Sequence, residues 1–179
     1  MKVLGIDPGT GRMGWGIVEK KHGQEKLIVC GCLETSAHTP LPLRLEKIHL
    51  FLTDLIIKHK PCAVSIEDLF FAKNRKTVMS VGAARGVIIL ACKQAKLDIN
   101  LYTPLQIKSS ITGYGQADKK QIQFMVKNIL KLKQVPKPDD AADAIAAALT
   151  HLSHLYVKGP TPSVADQGSY PGKGWKVLQ

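Results

Sequence analysis

No stretch of this 179-residue chain is apolar enough to cross a bilayer. The uncharged run over residues 86–92 is closed by Arg85 and Lys93, well short of the roughly 20 residues a spanning helix needs. A basic region leading into a longer apolar run is also missing after Met1-Lys2, which predicts a chain without a secretory leader, kept in the cytoplasm. Cysteine is sparse, with four residues and no CxxC pair. Cys30 and Cys32 share one face of a β-like run, so packing on a core face in a reducing compartment is expected rather than zinc binding. The six histidines form no HExxH or HxH cluster, and His151 and His154 read as a solvated helix end. There is no internal repeat and no Gly-x-x-x-x-Gly-Lys-Ser/Thr phosphate loop. At about 150 residues per domain, the length holds one domain and a short tail, and excludes two large lobes.

Acids are in short supply as well: 14 Asp plus Glu stand against 25 Lys plus Arg, a formal charge of +11. That excess favours a polyanionic partner, nucleic acid or an anionic membrane, and composition alone does not choose between them. With 45% hydrophobic and 22% charged residues, the chain can bury a sizeable core and fold as a soluble globular protein.

Residues 2–7 read as a buried strand ending in the turn Pro8-Gly9-Thr10-Gly11. Two more β-like runs, 13–20 and 27–35, are separated by the polar stretch 21–26, as in antiparallel hairpins. Pro40 and Pro42 lead into a helix with Leu45, Ile48, Leu52, Leu55 and Ile56 at i, i+3, i+4 spacing, ending near Pro61. Residues 62–66 form a short strand that delivers Glu67-Asp68, and a polar turn spans 73–76. A helix over 77–96 follows that is apolar nearly all round, so either the chain buries it twice or a partner does. Residues 99–102 give a fifth strand. After Pro104, Lys108 precedes a flexible Ser-Ser-Ile-Thr-Gly stretch, followed by a helix over 117–131 and an alanine-rich helix from Asp139. The expected fold is an α/β domain over residues 1–158, a five-stranded mixed sheet flanked by helices, with an irregular tail over 159–179.

Ligand sites in such sheets lie outside the carboxyl ends of strands, which singles out Asp7 and Glu67. Two carboxylates there are costly without a partner, so a positive group is expected between them. Asp140 and Asp143 share one face of the first turn of the last helix, where the helix dipole favours anions. Singly, Asp7-Pro8-Gly9 also reads as a turn and residues 139–143 as helix caps. Together, four carboxylates without histidine or thiolate suit Mg²⁺ or Mn²⁺. Two divalent ions would balance the four charges, and metals ~3.5–4 Å apart clamp the attacking and leaving oxygens of phosphoryl displacement.

The segments GIDPGTGRMGWGI, LPLRL, SIEDLFFAKN, AARG and DAADAIAAALTH, in this order across residues 1–156, resemble the RuvC-type Holliday junction resolvases. The resemblance implies a ribonuclease H-like fold and a homodimer that uses Mg²⁺ to nick paired strands of like polarity at four-way DNA junctions. It also implies work beside branch-migration motor proteins in recombination and repair. Its acidic centre falls on Asp7, Glu67, Asp140 and Asp143; the Asp139-Asp140 doublet leaves the third position resting on the spacing to Asp143. DNA contacts fall on Lys108 and Lys119, with Lys120 a substitute and Arg75-Lys76 assisting. Phe70 takes the position of an aromatic that stacks on an unpaired base, while Phe71 packs. Three rival readings are a nuclease of the same fold acting on structured RNA, an architectural DNA-binding module, and an actin-like ATPase. The ATPase needs two lobes, and this length holds one.

Overall fold

The computed structural model describes residues 1–68 and 75–158. Its chain order is β1 (Lys2–Asp7), β2 (Arg12–Lys21), β3 (Gln24–Glu34), α1 (Leu41–His59), β4 (Ala63–Glu67), α2 (Arg75–Gln94), β5 (Asp98–Tyr102), α3 (Pro104–Thr112), α4 (Lys119–Ile129) and α5 (Asp139–Lys158). The strands form one sheet in the order β3-β2-β1-β4-β5. The first three strands pair antiparallel, and β4 and β5 join parallel to β1. This is the expected five-stranded mixed sheet. Among the described residues, no helix is long and apolar enough to cross a membrane.

Alternation along the strands divides the core in two. Leu4, Ile6, Val64 and Ile66 face α1 and α2, together with Ile48, Leu52, Ala84 and Ile88. Val3 and Ala63 face the opposite way, into the core formed with α3, α4 and α5. By the same period of two, Gly5, Asp7, Ser65 and Glu67 belong to the α5 face. Ser65, fully buried, donates its hydroxyl to Ala147 O at 2.6 Å, which ties α5 to the middle of the sheet.

α5 lies directly against strand backbone. A Cβ added at Gly5 would stand 1.8 Å from Ala144 O, and one at Gly14 would stand 1.9 Å from Asp140 O. Gly5 pairs with Gly16, whose added Cβ would meet Ile145 at 2.7 Å. The alanines of DAADAIAAALTH are the matching half of this contact, with Ala141, Ala142, Ala144, Ala147 and Ala148 all buried.

Several boundaries differ from expectation for local reasons. The β2–β3 hairpin turns at His22 and Gly23 alone, with φ of 50° and 77°. Such left-handed pairs make the tight turn that matches strand twist, so residues expected as a polar spacer continue the ladder as Lys20↔Glu25 and Lys21↔Gln24. α2 begins at Arg75 rather than Thr77, which places Arg75 and Lys76 on its first turn instead of in a loop. The Ser-Ser-Ile-Thr stretch is not flexible coil: it completes α3, which Thr103 and Gln106 close with a reciprocal capping box. The His151 expectation is overturned. α5 continues to Lys158, so His151 is an interior residue, fully buried, with Nδ1 2.9 Å from the Tyr102 hydroxyl. Cys30 packs against the α5-side core, whereas Cys32 sits at the sheet end with Sγ 3.9 Å from Asp140 Oδ2. Phe70, Phe71 and the tail over residues 159–179 lie outside the described residues.

The glycine contact carries a prediction. Gly5→Ala places a methyl where the Ala144 carbonyl stands, and is expected to cost about 1–3 kcal/mol or more. The measurement is a lowered urea midpoint.

Candidate active site

Parallel pairing of β1 with β4 sets Gly5 opposite Ser65 and Ile6 opposite Ile66, so Asp7 and Glu67 leave neighbouring strand ends on the same face. α5 crosses that face with its first turn outermost, because Asp140 rests on Gly14, the strand partner of Asp7. The acidic cluster is therefore a product of strand register and helix contact.

The side chains of Asp7 and Glu67 hydrogen-bond to each other. Burial, then the charges of Glu67, Asp143 and Asp140, push Asp7 up to about 8. Burial and mutual repulsion thus favour one proton shared by the pair. Glu67 is itself raised by burial and by Asp143, but held back by the bond from Asp7 and by Lys108 and Lys119. The cationic side chains stand further out. Lys119 Nζ lies 3.1 Å from Asp143 Oδ2 and 3.5 Å from Asp139 Oδ2. Partial desolvation lowers the Lys119 pKa, and Asp143 and Asp139 more than reverse this. Burial raises Asp143 against the opposing pull of Lys119. Asp140 is engaged separately, with Arg12 Nη2 2.8 Å from its Oδ2.

Glu67, Lys108, Lys119 and Asp143 line a cleft of about 210 Å³, with Pro104, Ile107, Ile122 and Ala146 as its apolar walls. Capping boxes anchor both lysine-bearing helices: Thr103 with Gln106 starts α3, and Asp118 with Gln121 starts α4. Lys120 is exposed and lies outside this cleft. The side chains of Arg75 and Lys76 are not among the described ones, and Phe70 lies in the undescribed segment.

The donor set fits a hard divalent cation in kind. It consists of carboxylate oxygens whose mutual repulsion and burial already force one of them to hold a proton. Among the described residues, no three acid, histidine or cysteine side chains stand together as a finished cage. Lys119 and Arg12 occupy two of the four carboxylates instead.

Three residues here escaped the sequence reading: Arg12, Cys32 and Arg85. The first two were available from the period of two, since Arg12, Gly14 and Gly16 share a face, and the register pairs Gly14 with Cys32. Arg85 Nη2 lies 2.8 Å from Asp68 Oδ1, and the Asp68 N–H donates to Tyr102 O at 2.8 Å, which fixes the chain just past Glu67. Nothing in the local sequence marks that pair, because its partners lie on different elements.

Comparison with known proteins decides the family. The family model described as crossover junction endodeoxyribonuclease RuvC matches residues 3–151. The chain belongs to the RuvC family. A crossover junction endodeoxyribonuclease RuvC from Caldicellulosiruptor saccharolyticus is 54% identical over 153 residues, covering 85% of this chain and 92% of that one. The RuvC of Syntrophomonas wolfei is 48% identical over 156 residues, covering 87% and 90%. Among solved structures, Thermus thermophilus RuvC in complex with a Holliday junction substrate superimposes with a TM-score of 0.81. It is 31% identical and covers 88% of this chain and 97% of that one. The fold is thus the ribonuclease H-like fold of RuvC.

The shared proton is testable in metal-free protein. Folded Asp7 keeps a proton that an ordinary aspartate gives up near 3.8, so between there and about 8 the native state binds more protons. This group's contribution to stability therefore falls as pH rises across that window. Asp7→Asn removes the penalty. Its thermal stability in EDTA is expected to exceed that of the parent, by about 0.5–2 kcal/mol at pH 8 and by less at pH 5. A gain that does not vary with pH would mean that Asp7 is ionised throughout.

Proposed function

We propose that this chain is a Mg²⁺-dependent endonuclease that resolves four-way DNA junctions by paired symmetric nicks, in recombination and repair. Membership of the RuvC family supports this reading. The observation that carries it is a cleft lined by Glu67 and Asp143 together with Lys108 and Lys119, with Asp7 hydrogen-bonded to Glu67. Acids and cations in one cleft suit a phosphodiester, which needs both a divalent ion and charge compensation.

Asp7, Glu67, Asp140 and Asp143 are assigned to hold the cation, two per site in the reading given by charge balance. Bound Mg²⁺, or Mn²⁺ in its place, supplies the charge that stabilises the attacking and leaving oxygens of an in-line displacement. The chain's own residues do the rest. Asp7 gives up the proton it shares with Glu67, which makes activity weaken as the solution is acidified. Lys119 and Lys108 hold the phosphate and bear the negative charge that builds on it. Water is the nucleophile, and the products are 5′-phosphate and 3′-hydroxyl ends. Lys120, Arg75 and Lys76 are assigned to the DNA backbone, and Phe70 to stacking at the junction centre.

Two nicks in like strands require two centres, which a two-fold homodimer supplies. α2 is the proposed contact. It buries Ala84, Ile88, Ala91 and Cys92 within the chain and leaves Met79 79% and Leu90 52% exposed. The expected setting is the cytoplasm, beside branch-migration motor proteins.

The decisive assay offers the protein a synthetic four-way junction, linear duplex and structured RNA, with and without Mg²⁺. Only the junction should be cut, and only with the metal. Asp143→Asn should lower cleavage by about 10²–10³-fold, as expected for loss of one preorganised charge. Junction binding measured in Ca²⁺ should survive or tighten. Equal loss of binding and cleavage in a folded protein would move Asp143 from catalysis to recognition. Light scattering should report a dimer for the parent and monomer for Val81→Glu; a monomeric parent at micromolar concentration refutes the α2 contact.

A further inference from the structure

Beside the catalytic cleft lies a second, more open one of about 450 Å³, lined by Arg12, Lys119, Lys137, Pro138, Asp139 and Asp140. Lys119 borders both clefts. Arg12 and Lys137 have no part in the mechanism above. Arg12 Nη2 is held on Asp140 Oδ2 at 2.8 Å, with its Nε 3.8 Å from Glu34 Oε1 and a side-chain hydrogen bond to Cys32. Its side chain is nevertheless 49% exposed.

Two facts bear on what this cleft binds. Its cations outnumber its carboxylates by three to two. The imbalance grows when Asp140 gives its charge to a divalent ion, as the proposed function requires. A guanidinium released from a carboxylate keeps its planar fork of donors, and that fork matches the oxygens of a phosphate.

The geometry points to the Arg12–Lys119–Lys137 cleft as a second phosphate site, for a backbone phosphate next to the scissile one, with Arg12 held on Asp140 until a divalent cation takes over that carboxylate. The inference rests on the junction-nuclease reading, and adds to it a specific contact and an order of events. In the metal-free protein Arg12 neutralises Asp140. In the loaded protein it turns to DNA, so cation binding and DNA binding reinforce each other through one side chain. The competing account is a surface ion pair, worth at most about 1 kcal/mol and without effect on either ligand.

The test uses the full chain, a synthetic four-way junction and Ca²⁺ as the cation. Junction affinity is measured against salt for the parent, Arg12→Gln, Arg12→Lys and Lys137→Gln, each in Ca²⁺ and in EDTA. Loss of one phosphate contact lowers the slope by about 0.9, so a tenfold rise in salt should cost Arg12→Gln about eightfold less affinity than it costs the parent. That change is expected in Ca²⁺ and not in EDTA. Lys137→Gln should show it in both, and Arg12→Lys should restore the parental slope. Calorimetry should find Ca²⁺ binding to free Arg12→Gln several-fold tighter than to the parent, because a competing cation is gone. A parental slope for Arg12→Gln in Ca²⁺ overturns the site, and an equal change in Ca²⁺ and EDTA overturns the handover. If Arg12→Gln fails to fold, a parental slope for Lys137→Gln does the same. A parent that does not prefer the junction over linear duplex would instead refute the function on which the inference rests.

Discussion

Everything at the catalytic face depends on how closely α5 approaches the sheet. Helices normally stand off a sheet by the thickness of two layers of side chains. Here the strand side contributes none at three points, because Gly5, Gly14 and Gly16 present bare backbone to Ala144, Asp140 and Ile145. The helix sinks until its own carbonyls meet the strands. That approach brings the first-turn aspartates level with the ends of β1 and β4, and the Ser65–Ala147 hydrogen bond holds the helix in register along its length. A helix resting on valines would carry the same aspartates too far out to act on Asp7.

Crowding acids in this way has an electrostatic cost, and the structure meets it by three routes. A proton shared between Asp7 and Glu67 removes one charge at the most buried point. Lys119 compensates Asp143 and Asp139, and Arg12 compensates Asp140. Each device can be reversed, since a proton dissociates and an exposed side chain turns away. Permanent partners, such as a buried arginine among the acids, would have given a more stable protein with no vacancy for a cation.

The sequence was most legible where one physical signal dominates. Strand ends, the apolar periodicity of α1 and the three-residue spacing of Asp140 and Asp143 each rest on a single local rule. Five strands, four of the five helices and the grouping of Glu67 and Asp143 at one cleft, with Asp7 beside Glu67, follow from those rules together with the family resemblance. What escaped depends on two elements at once. Arg12 looks like a surface residue until the register places it beside Asp140. His151 looks solvated until α5 is known to run on over the sheet and meet Tyr102. The Ser-Ser-Ile-Thr stretch looks flexible because its residues are poor helix formers, and the capping box at Thr103, with packing of Ile107 and Ile111 against the α5-side core, overrides that preference.

The Arg85–Asp68 ion pair joins layers that are otherwise separated by the sheet. α2 packs on the face away from the acids, but its guanidinium reaches round to the residue that follows Glu67. Asp68 is also fastened to β5 through its backbone N–H. α2 therefore cannot slide along the sheet without breaking that ion pair or drawing Asp68 with it. The pair is a mechanical strut: whatever presses on α2 from outside loads the strand end that carries Glu67.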